Sequence, residues 1–588
     1  MMYSKTVHNG MITITGVPAS PGIVIGKSYC YLKKIIKVDK SSILKNAIPQ
    51  EIVRLEHAIE RSEYELKKII SFAANQVGKT EIKIFEAQIL ILQDIILLEG
   101  IKSRIKNELT NAEAVVDSEF SKYQSIMLNA KDEYLRERAH EVEDIKNRII
   151  RNIQQEKLTS RIDKNVIVVS EALTAGDTIL FSRNKILGFA TDGGGITSHS
   201  TLLARSLQLP AVVGLKDITK NINHGDLLIV DGYDGIVIIR PNEETIEKFN
   251  REKTRHDNFE KKLIPLRDQP ATTLDNHTVS LTVNIEFMDE IPIMLKQGAQ
   301  GVGLYRSEGV LIGRDSIPTE DEQFTEYDKL ASAVAPHRIV IRTFDIGGDK
   351  IFSEQNDEEN PSLGWRGIRI SLDMPELFKT QLRAILRAST RNNVDVLFPM
   401  VSGFEEIIEA KKYLSEIKDE LQNKNIPFDK NIRVGSVIEI PSAALLAGDL
   451  ARELDFLSIG TNDLLQFVLA VDRNNERVSK LFNRFNPGLL RLISQIITQT
   501  KSENKKIAMC GEMAGDPLAT TLLIGLGLDE FSVIPDILPE IKKIIRTITL
   551  KDAKEIAKHA LTLSTSAEIQ NYLQDELQKI IPDIPLSH

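Results

Sequence analysis

The chain has 588 residues, of which 42% are hydrophobic and 27% charged, and its formal net charge is −9. This length exceeds what a single hydrophobic core supports, so we expect about three domains. The acidic balance argues against a nucleic-acid partner, because phosphate backbones bind basic surfaces. The two cysteines, Cys30 and Cys510, are too few and too far apart for a zinc site or a disulfide framework, which indicates a reducing compartment.

The sequence predicts neither a membrane segment nor a signal peptide. The N-terminus, MMYSKTVHNG, lacks the apolar core that a signal peptide needs. The most apolar run, QILILQDIILLE at 88–99, contains Gln93 and Asp94 and is too short to cross a bilayer. We therefore expect a cytoplasmic protein without membrane insertion.

The N-terminal part of the chain contains two kinds of pattern. Residues 11–30 alternate apolar and small residues around two proline-containing turns, which predicts two short strands. From about Ser41 to Ile153, Glu, Lys, Leu and Ile recur at helical spacing while Pro and Gly nearly vanish. This second pattern is typical of a helical bundle.

Strand-like runs return after the helical stretch, at VIVVS (166–170), LLIVD (227–231) and GIVII (235–239). We expect them to join the first strands in one α/β domain, residues 1–34 and 146–241, with a helical insert at 35–145. A charged helical segment follows at 242–262. Because it is polar on nearly all sides, it is predicted to be an interdomain connector.

The C-terminal part, residues 263–588, repeats a strand–helix pattern eight times. This repetition predicts a (β/α)₈ TIM barrel, in which the chemistry occurs at the carboxyl ends of the strands. The expected strands are 279–284, 301–306, 339–342, 394–399, 434–439, 456–461, 506–510 and 530–533. The residues at or just after their ends include Asn284, Arg306, Arg342, Glu439, Asn462, Asp463 and Cys510.

Three glycines stand shortly before a histidine in the sequence GGGITSHS at 193–200. A strand-like run precedes the glycines, and a helical stretch follows the histidine. Glycines let the backbone approach a bound anion closely, and the start of a helix offers free N–H groups and a positive dipole end. His199 is therefore a candidate phosphoryl acceptor. The alternative is a glycine-rich turn that carries a surface histidine.

Four arginines stand at strand ends or in loops of the predicted barrel, namely Arg306, Arg342, Arg366 and Arg473. Planar guanidinium groups suit phosphate and carboxylate oxygens, so their accumulation indicates an anionic substrate. Each arginine taken alone would more often be part of a surface ion pair.

Two carboxylates and a thiol complete the candidate set. Glu439 and Asp463 follow strands five and six, and Mg²⁺ prefers one or two carboxylates together with substrate oxygens. Asp463 alone could equally cap a helix. Cys510 ends strand seven, where a thiol facing a bound phosphate could act as a general acid. A buried, inert cysteine is the alternative.

Several of these strings resemble the Enzyme I family of the bacterial phosphoenolpyruvate-dependent sugar phosphotransferase system. They are GVPASPGIVIG (16–26), TSH (197–199), RSLQLP (205–210), GLYR (303–306), DIGGDK (345–350), GTNDL (460–464) and MCGE (509–512). The resemblance extends along nearly the whole chain. It implies a swivelling phosphohistidine α/β domain with a helical insert, and a barrel that binds phosphoenolpyruvate.

The resemblance also implies a role for each candidate residue. His199 would take the phosphoryl group from phosphoenolpyruvate and pass it to a histidine of the small carrier protein HPr, while Thr178 would hydrogen-bond its ring. The phosphoenolpyruvate ligands would be Arg306, Arg342, Asn462, Asp463 and Arg473. Glu439 and Asp463 would bind Mg²⁺. Cys510 would protonate the enolate to give pyruvate.

The same resemblance implies that the helical insert docks HPr and that the barrel forms a homodimer. The sequence departs from the family pattern at three places. Gly309 replaces a usual aromatic residue after Arg306-Ser-Glu308. Ile196 stands where the family usually has an arginine in the active-site loop. The run 89–98 lacks several acidic residues typical of the carrier-facing helix, so we expect HPr docking to be more hydrophobic or to use the acidic stretch 137–144.

Other readings concern related enzymes and a signalling role. Pyruvate phosphate dikinase and phosphoenolpyruvate synthase share the histidine domain and the barrel, but they need a large ATP-binding domain where this sequence has only a few strands. The nitrogen-regulatory paralogue of Enzyme I normally carries an extra sensor domain at its N-terminus. A signalling phosphocarrier that reports phosphoenolpyruvate status would use identical chemistry, so the sequence does not separate it from sugar uptake.

Overall fold

The computed structural model describes residues 4–8, 10–31, 37–73, 79–128, 133–155, 164–195, 198–311, 316–347, 360–472, 475, 477–582 and 584–585. The chain forms two compact units, which divide between Asp257 and Asn258. Within the described ranges, no helix is both long enough and apolar enough to cross a membrane.

A mixed sheet forms the core of the first unit. Its nine strands among the described residues are β1 (Ser4–His8), β2 (Met11–Thr15), β3 (Val17–Ser20), β4 (Ile23–Cys30), β5 (Val166–Ser170), β6 (Gly188–Thr191), β7 (Ala211–Val213), β8 (Leu227–Asp231) and β9 (Ile236–Ile239). Their order across the sheet is β1-β2-β9-β8-β4-β5-β6-β7-β3. β4 pairs in parallel with β5, with Lys27 opposite Val166, although the helical bundle separates these strands in sequence. The helices are therefore an insertion between two neighbouring strands.

The segment 11–30 forms three strands, so the prediction of two is wrong. β2 pairs with β9, whereas β3 pairs with β7 at the far edge of the sheet. One residue, Gly16, separates these two strands. The apolar alternation continues across Gly16, because it depends on which side chains are buried and not on which strand each segment pairs with.

The inserted bundle contains the helices Ile48–Ala73, Lys79–Leu92, Ile95–Glu108, Ala112–Leu128 and Glu133–Ile153. The last helix runs past residue 145, where the sequence analysis placed the end of the insert. Two helices of the α/β part, Ala175–Arg183 and His199–Ser206, share the apolar core of the bundle through Ala175, Ile179 and Leu203. This shared core fixes the helix that begins at His199 against the bundle.

The second unit is a closed parallel barrel, which confirms the predicted (β/α)₈ architecture. Its strands are β10 (Ser280–Ile285), β11 (Gly301–Arg306), β12 (Arg338–Arg342), β13 (Val394–Phe398), β14 (Val434–Ile438), β15 (Phe456–Ile459), β16 (Lys506–Met509) and β17 (Glu530–Val533). β17 closes the barrel on β10, with Ser280 opposite Glu530. Each of the eight strand-like runs is a strand, with ends within two residues of the prediction.

The helices described in the remainder of the chain are Ile218–Asn221, Glu243–Leu263, Ile291–Lys296, Glu320–Val334, Ile368–Asp373, Pro375–Ala388, Phe404–Asn423, Pro441–Leu445, Ala447–Glu453, Thr461–Leu469, Pro487–Ser502, Pro517–Leu526, Leu538–Ile545, Leu550–Ala560 and Ser566–Ile580. The predicted connector corresponds to the helix Glu243–Leu263. Inside the barrel, the side chains of Leu304, Val340, Leu397, Val437, Phe456 and Cys510 form one apolar cluster.

Candidate functional site

His199 is the first residue of a helix that follows the glycine-rich loop. Gly194 has a φ of 102°, a conformation that favours glycine, and the loop ends where the Ser198 N–H donates to the Gly195 carbonyl at 3.2 Å. The Thr201 hydroxyl donates to the same carbonyl at 2.9 Å. Because the first N–H groups of a helix have no intrahelical partner, the His199 ring stands beside a site suited to an anion.

The partner of the His199 ring differs from the one expected. Nδ1 lies 2.9 Å from Oε1 of Glu141, whose side chain is only 8% exposed. The Thr178 hydroxyl, which the resemblance assigned to the ring, donates instead to the Thr174 carbonyl at 3.0 Å. This difference arises because Thr178 lies within its own helix, where its hydroxyl reaches the carbonyl four residues earlier.

The carboxyl ends of the barrel strands enclose a cavity of about 380 Å³. Its lining includes Asn284, Glu286, Arg306, Asn462, Cys510 and Glu512. Four of these residues come from the ends of β10, β11 and β16 and from the helix that follows β15. The structure thus brings three predicted site residues, Arg306, Asn462 and Cys510, to one cavity.

Arg306 supplies the cation of this cavity. It ends β11 and is exposed, and it forms no hydrogen bond or ion pair with any residue that the structure describes. Glu286 lies close enough for the Arg306 charge to oppose the rise that burial causes in the pKa of Glu286. A guanidinium at a cavity wall without an ion-pair partner is suited to an anionic ligand.

Arg342 is a second cation, and carboxylates hold it in place. Its Nη1 lies 2.9 Å from Asp345 Oδ2, and its Nη2 lies 3.2 Å from Glu308 Oε2. Burial lowers the pKa of Arg342, but these carboxylates outweigh burial and raise it. Its Nε is buried without a hydrogen-bond partner in the described structure, so one N–H donor remains for an incoming oxygen.

Arg366 joins the same cluster from a loop. Two of its three guanidinium nitrogens donate to Asp345: Nη2 to Oδ1 at 3.0 Å and to Oδ2 at 2.9 Å, and Nε to Oδ1 at 3.1 Å. Its Nη1 lies 3.6 Å from Asp463. From the sequence, Arg366 was expected only as one of several cations for an anionic substrate, and Asp345 had no predicted role. Asp345 is the first residue of the motif DIGGDK, and its place in that motif was the sequence feature that could have marked it as a site residue.

Glu439 and Asp463 form the acidic side of the cluster. The Glu439 Oε1 accepts a hydrogen bond from the Met400 N–H at 2.7 Å. A Cβ atom at residue 460 would lie 2.8 Å from Glu439 Oε2, so glycine at this position leaves room for the carboxylate. Burial raises the pKa of Glu439, and the nearby Asp345 and Asp463 carboxylates raise it further. A cation at this point would relieve that repulsion.

Cys510 lies at the boundary between the barrel interior and the cavity. It directly follows β16, is 7% exposed, and its thiol lies 3.8 Å from the Ile459 carbonyl. Burial raises the pKa of the Cys510 thiol, and the Glu439 charge adds to the rise. The Asn284 amide fixes the Cys510 backbone by donating to its carbonyl at 3.0 Å. Burial therefore favours the protonated form of the thiol, and Cys510 lines the cavity.

Asn462 stands at the start of the helix after β15, with its side chain held by Glu512. Its amide donates to Glu512 Oε1 at 3.2 Å, and its Oδ1 accepts from the Glu512 N–H at 3.0 Å. Arg473, Ile196, Thr197 and residues 348–350 of the motif DIGGDK lie outside the described residues.

Comparisons with known proteins agree with this combination of barrel and histidine loop. Models of phosphoenolpyruvate-utilising enzymes match residues 15–138 (N-terminal), 162–235 (mobile domain) and 260–550 (PEP-binding domain). The fold, the loop and the cation cluster thus define a phosphoenolpyruvate-utilising enzyme.

The relatives narrow the class to one family. The phosphoenolpyruvate-protein phosphotransferase of Staphylococcus carnosus (strain TM300) is 39% identical over 566 residues, which are 96% of this chain and 98% of the relative. The protein of the same name from Staphylococcus aureus is 40% identical over 560 residues, covering 95% and 98%. An NMR solution structure of Enzyme I (nEIt) is 40% identical, with a TM-score of 0.37, and covers 41% of this chain and 99% of that chain. The chain belongs to the phosphoenolpyruvate-protein phosphotransferase family.

Proposed function

We propose that this enzyme transfers the phosphoryl group of phosphoenolpyruvate to a ring nitrogen of His199, and from there to a histidine of the carrier HPr. Pyruvate is the other product of the first step. In this proposal the enzyme acts in the cytoplasm at the start of phosphotransferase-system sugar uptake. Identical chemistry would serve a signalling phosphocarrier.

The observation that carries the proposal is the presence of two complementary sites in one chain. At the barrel mouth Arg306 lines the cavity, and Arg342 and Arg366 are held together by Asp345. Such guanidinium groups suit the phosphoryl oxygens and the carboxylate of phosphoenolpyruvate. The other site is a histidine ring at a helix start. Phosphoryl transfer needs positioning and charge neutralisation more than covalent help, and these sites supply both. By resemblance, Asn462, Asp463 and Arg473 would also bind phosphoenolpyruvate.

Magnesium fits the acidic side of the barrel cluster. Among the described residues, no group of three or more His, Cys, Asp or Glu side chains forms a metal site. The two carboxylates of Glu439 and Asp463 would hold Mg²⁺ only with added substrate oxygens and water, which is how this ion commonly binds. Such an ion would neutralise the charge on the phosphoryl oxygens.

Cys510 would complete the first step as a proton donor. Breaking the bond between phosphorus and the enol oxygen leaves the enolate of pyruvate, whose methylene carbon must take up a proton. Cys510 lines the cavity, and burial raises the pKa of its thiol, which favours the protonated form that a proton donor needs.

Replacing Cys510 with alanine is expected to slow pyruvate formation by about 10²–10⁴-fold, because the enolate then takes its proton from water. Phosphoenolpyruvate binding should persist, since the arginines remain. The measurement is proton incorporation at the methyl carbon of stereospecifically labelled substrate in heavy water, where the facial preference should vanish. Cys30→Ser, at the other cysteine, should behave as wild type. Wild-type rate and stereochemistry in Cys510→Ala would make Cys510 a packing residue.

The helical bundle is the proposed dock for HPr, and the barrel the proposed site of homodimerisation. Ile95 and Ile96 follow the helix-capping residue Asp94 and are 76% and 85% exposed. Leu90, on the preceding helix, is 68% exposed. Isolated exposed apolar residues are common, but three within seven positions are suited to a protein partner. In the acidic stretch 137–144, the alternative dock, Glu141 is buried and Glu143 is exposed.

Replacing Ile95 and Ile96 together with serine is expected to raise the HPr concentration for half-maximal transfer by about tenfold or more, because burying one isoleucine contributes about 1.5–3 kcal/mol. Labelling of the enzyme itself should not change. Steady-state transfer to HPr measures the effect. Ile408→Ser, which alters an exposed isoleucine of the barrel, is the matched control. Unchanged HPr dependence in the double variant would place the docking surface elsewhere.

Incubation with radiolabelled phosphoenolpyruvate, Mg²⁺ and HPr tests the whole proposal. We expect label on the enzyme when HPr is omitted, and label on both proteins when it is present. Absence of label from the enzyme would refute the proposal.

A further inference from the structure

The His199 ring has a buried carboxylate as its partner, from a part of the chain that the mechanism above does not use. Glu141 lies on the helix Glu133–Ile153 of the bundle, and its Oε1 is 2.9 Å from Nδ1 of His199. We propose that Glu141 is the positioning residue that selects Nε2 of His199 as the phosphorylated nitrogen. This inference rests on the proposed function of His199.

The contact is built into the packing between the bundle and the α/β part. Leu203, on the same helix as His199, lies in the core that Ile145 and Ile149 share with the rest of the bundle. Ile145 and Ile149 stand four and eight residues after Glu141 on one helix, so the three residues occupy the same helical face. The apolar core therefore sets the position of the carboxylate.

Charged residues further along the same helix secure this arrangement. Arg148 is 5% exposed and lies 3.0 Å from Glu65 on the first bundle helix, and a Cβ atom at Gly176 would approach its Nη2 to 3.3 Å. Arg151 also pairs with Glu65. Helix Glu133–Ile153 thus carries the buried charged residues Glu141 and Arg148. Of these two, Glu141 contacts the His199 ring.

The chemistry of the ring explains what the carboxylate does. A neutral imidazole carries a proton on one nitrogen and a lone pair on the other. A carboxylate beside Nδ1 accepts a hydrogen bond from it, so the proton resides there and the lone pair remains on Nε2. In a histidine held by an aspartate, the same relation fixes the tautomer and stabilises the positive ring.

Charge balance assigns Glu141 a second effect in the transfer. When the Nε2 lone pair forms the bond to phosphorus, the bond from phosphorus to the enol oxygen breaks and its electrons leave with the enolate. The ring keeps its Nδ1 proton and gains a positive charge. The Glu141 carboxylate lies 2.9 Å away and offsets that charge. When the group moves on to an acceptor, the ring returns to neutral with the same proton in place.

Two substitutions separate the hydrogen bond from the charge. Glu141→Gln keeps an acceptor oxygen but removes the charge, so the Nδ1–H tautomer should persist while labelling slows by about tenfold. Glu141→Ala removes both, so the tautomer preference should vanish and labelling should slow by about 100-fold, as for other groups that hold a functional imidazole. Thermal unfolding of each variant checks that the fold is kept.

The tautomer is read by ¹⁵N NMR of the histidine ring in the full chain without substrate, with His199 assigned by comparison with His199→Ala. The matched control is Glu143→Gln, which alters an exposed glutamate two residues away that accepts from Gln124. Wild-type tautomer and labelling rate in Glu141→Ala would overturn the inference. Labelling of His199→Ala would instead refute the proposed function. The NMR comparison would still show whether Glu141 sets the tautomer of the His199 ring.

Discussion

Replacing His199 with alanine is expected to abolish acid-labile phosphorylation of the enzyme by phosphoenolpyruvate. The imidazole is the proposed nucleophile, and alanine offers no lone pair at this position. Pyruvate release and transfer to HPr should stop as well, because both follow from the first step. The side chain of His199 is 28% exposed and lies at a helix start, so its loss should leave the fold intact. The measurement is retention of ³²P after mild acid and after base, since phosphohistidine survives only the latter.

The control for this result is His224→Ala. His224 belongs to the same unit, is exposed and packs edge-on to Tyr29, with ring centroids 5.3 Å apart. Its replacement should leave labelling at the wild-type rate. Acid-labile label on His199→Ala at the wild-type level would mean that another residue accepts the phosphoryl group.

The barrel and its candidate site residues could be predicted from the sequence, because the candidate residues stand at the ends of the strand-like runs. The parallel strands of a closed barrel place their carboxyl ends at one edge, so residues such as Arg306, Arg342 and Cys510 were expected to meet there. The structure gathers them at one mouth. Their roles in catalysis remain predictions, since placement at a mouth does not establish a role.

Contacts that depend on packing between distant elements could not be predicted from the sequence. Glu141 and His199 are far apart in sequence, and they meet because Leu203 enters the core of the bundle. The composition of the stretch 137–144 indicated only an acidic surface. Similarly, Asp345 stood in a recognised motif, but nothing in the sequence showed that it holds two arginines at once. The useful signal for Glu141 was its spacing of four and eight residues from buried isoleucines.

Removing either carboxylate of the proposed metal pair is the second large expected effect. Glu439→Gln and Asp463→Asn keep the shape of each side chain but remove its charge, so Mg²⁺ loses one of two protein ligands. We expect the rate of labelling to fall by about 10²–10³-fold, the range found when one stabilising group is lost from a transition state. The fold should persist, because each substitution removes a like charge from a crowded cluster.

The test joins a kinetic and a binding measurement. The Mg²⁺ concentration for half-maximal labelling should rise in both variants, and Mn²⁺ binding in the presence of phosphoenolpyruvate should weaken. Performing the binding measurement in a His199→Ala background prevents turnover, so affinity is measured apart from catalysis. Asp449→Asn, which removes an exposed carboxylate 2.7 Å from Arg452, should change neither quantity. If both pair variants keep the wild-type metal dependence, Glu439 and Asp463 do not hold the ion, and their cluster serves only to orient Arg342 and Arg366.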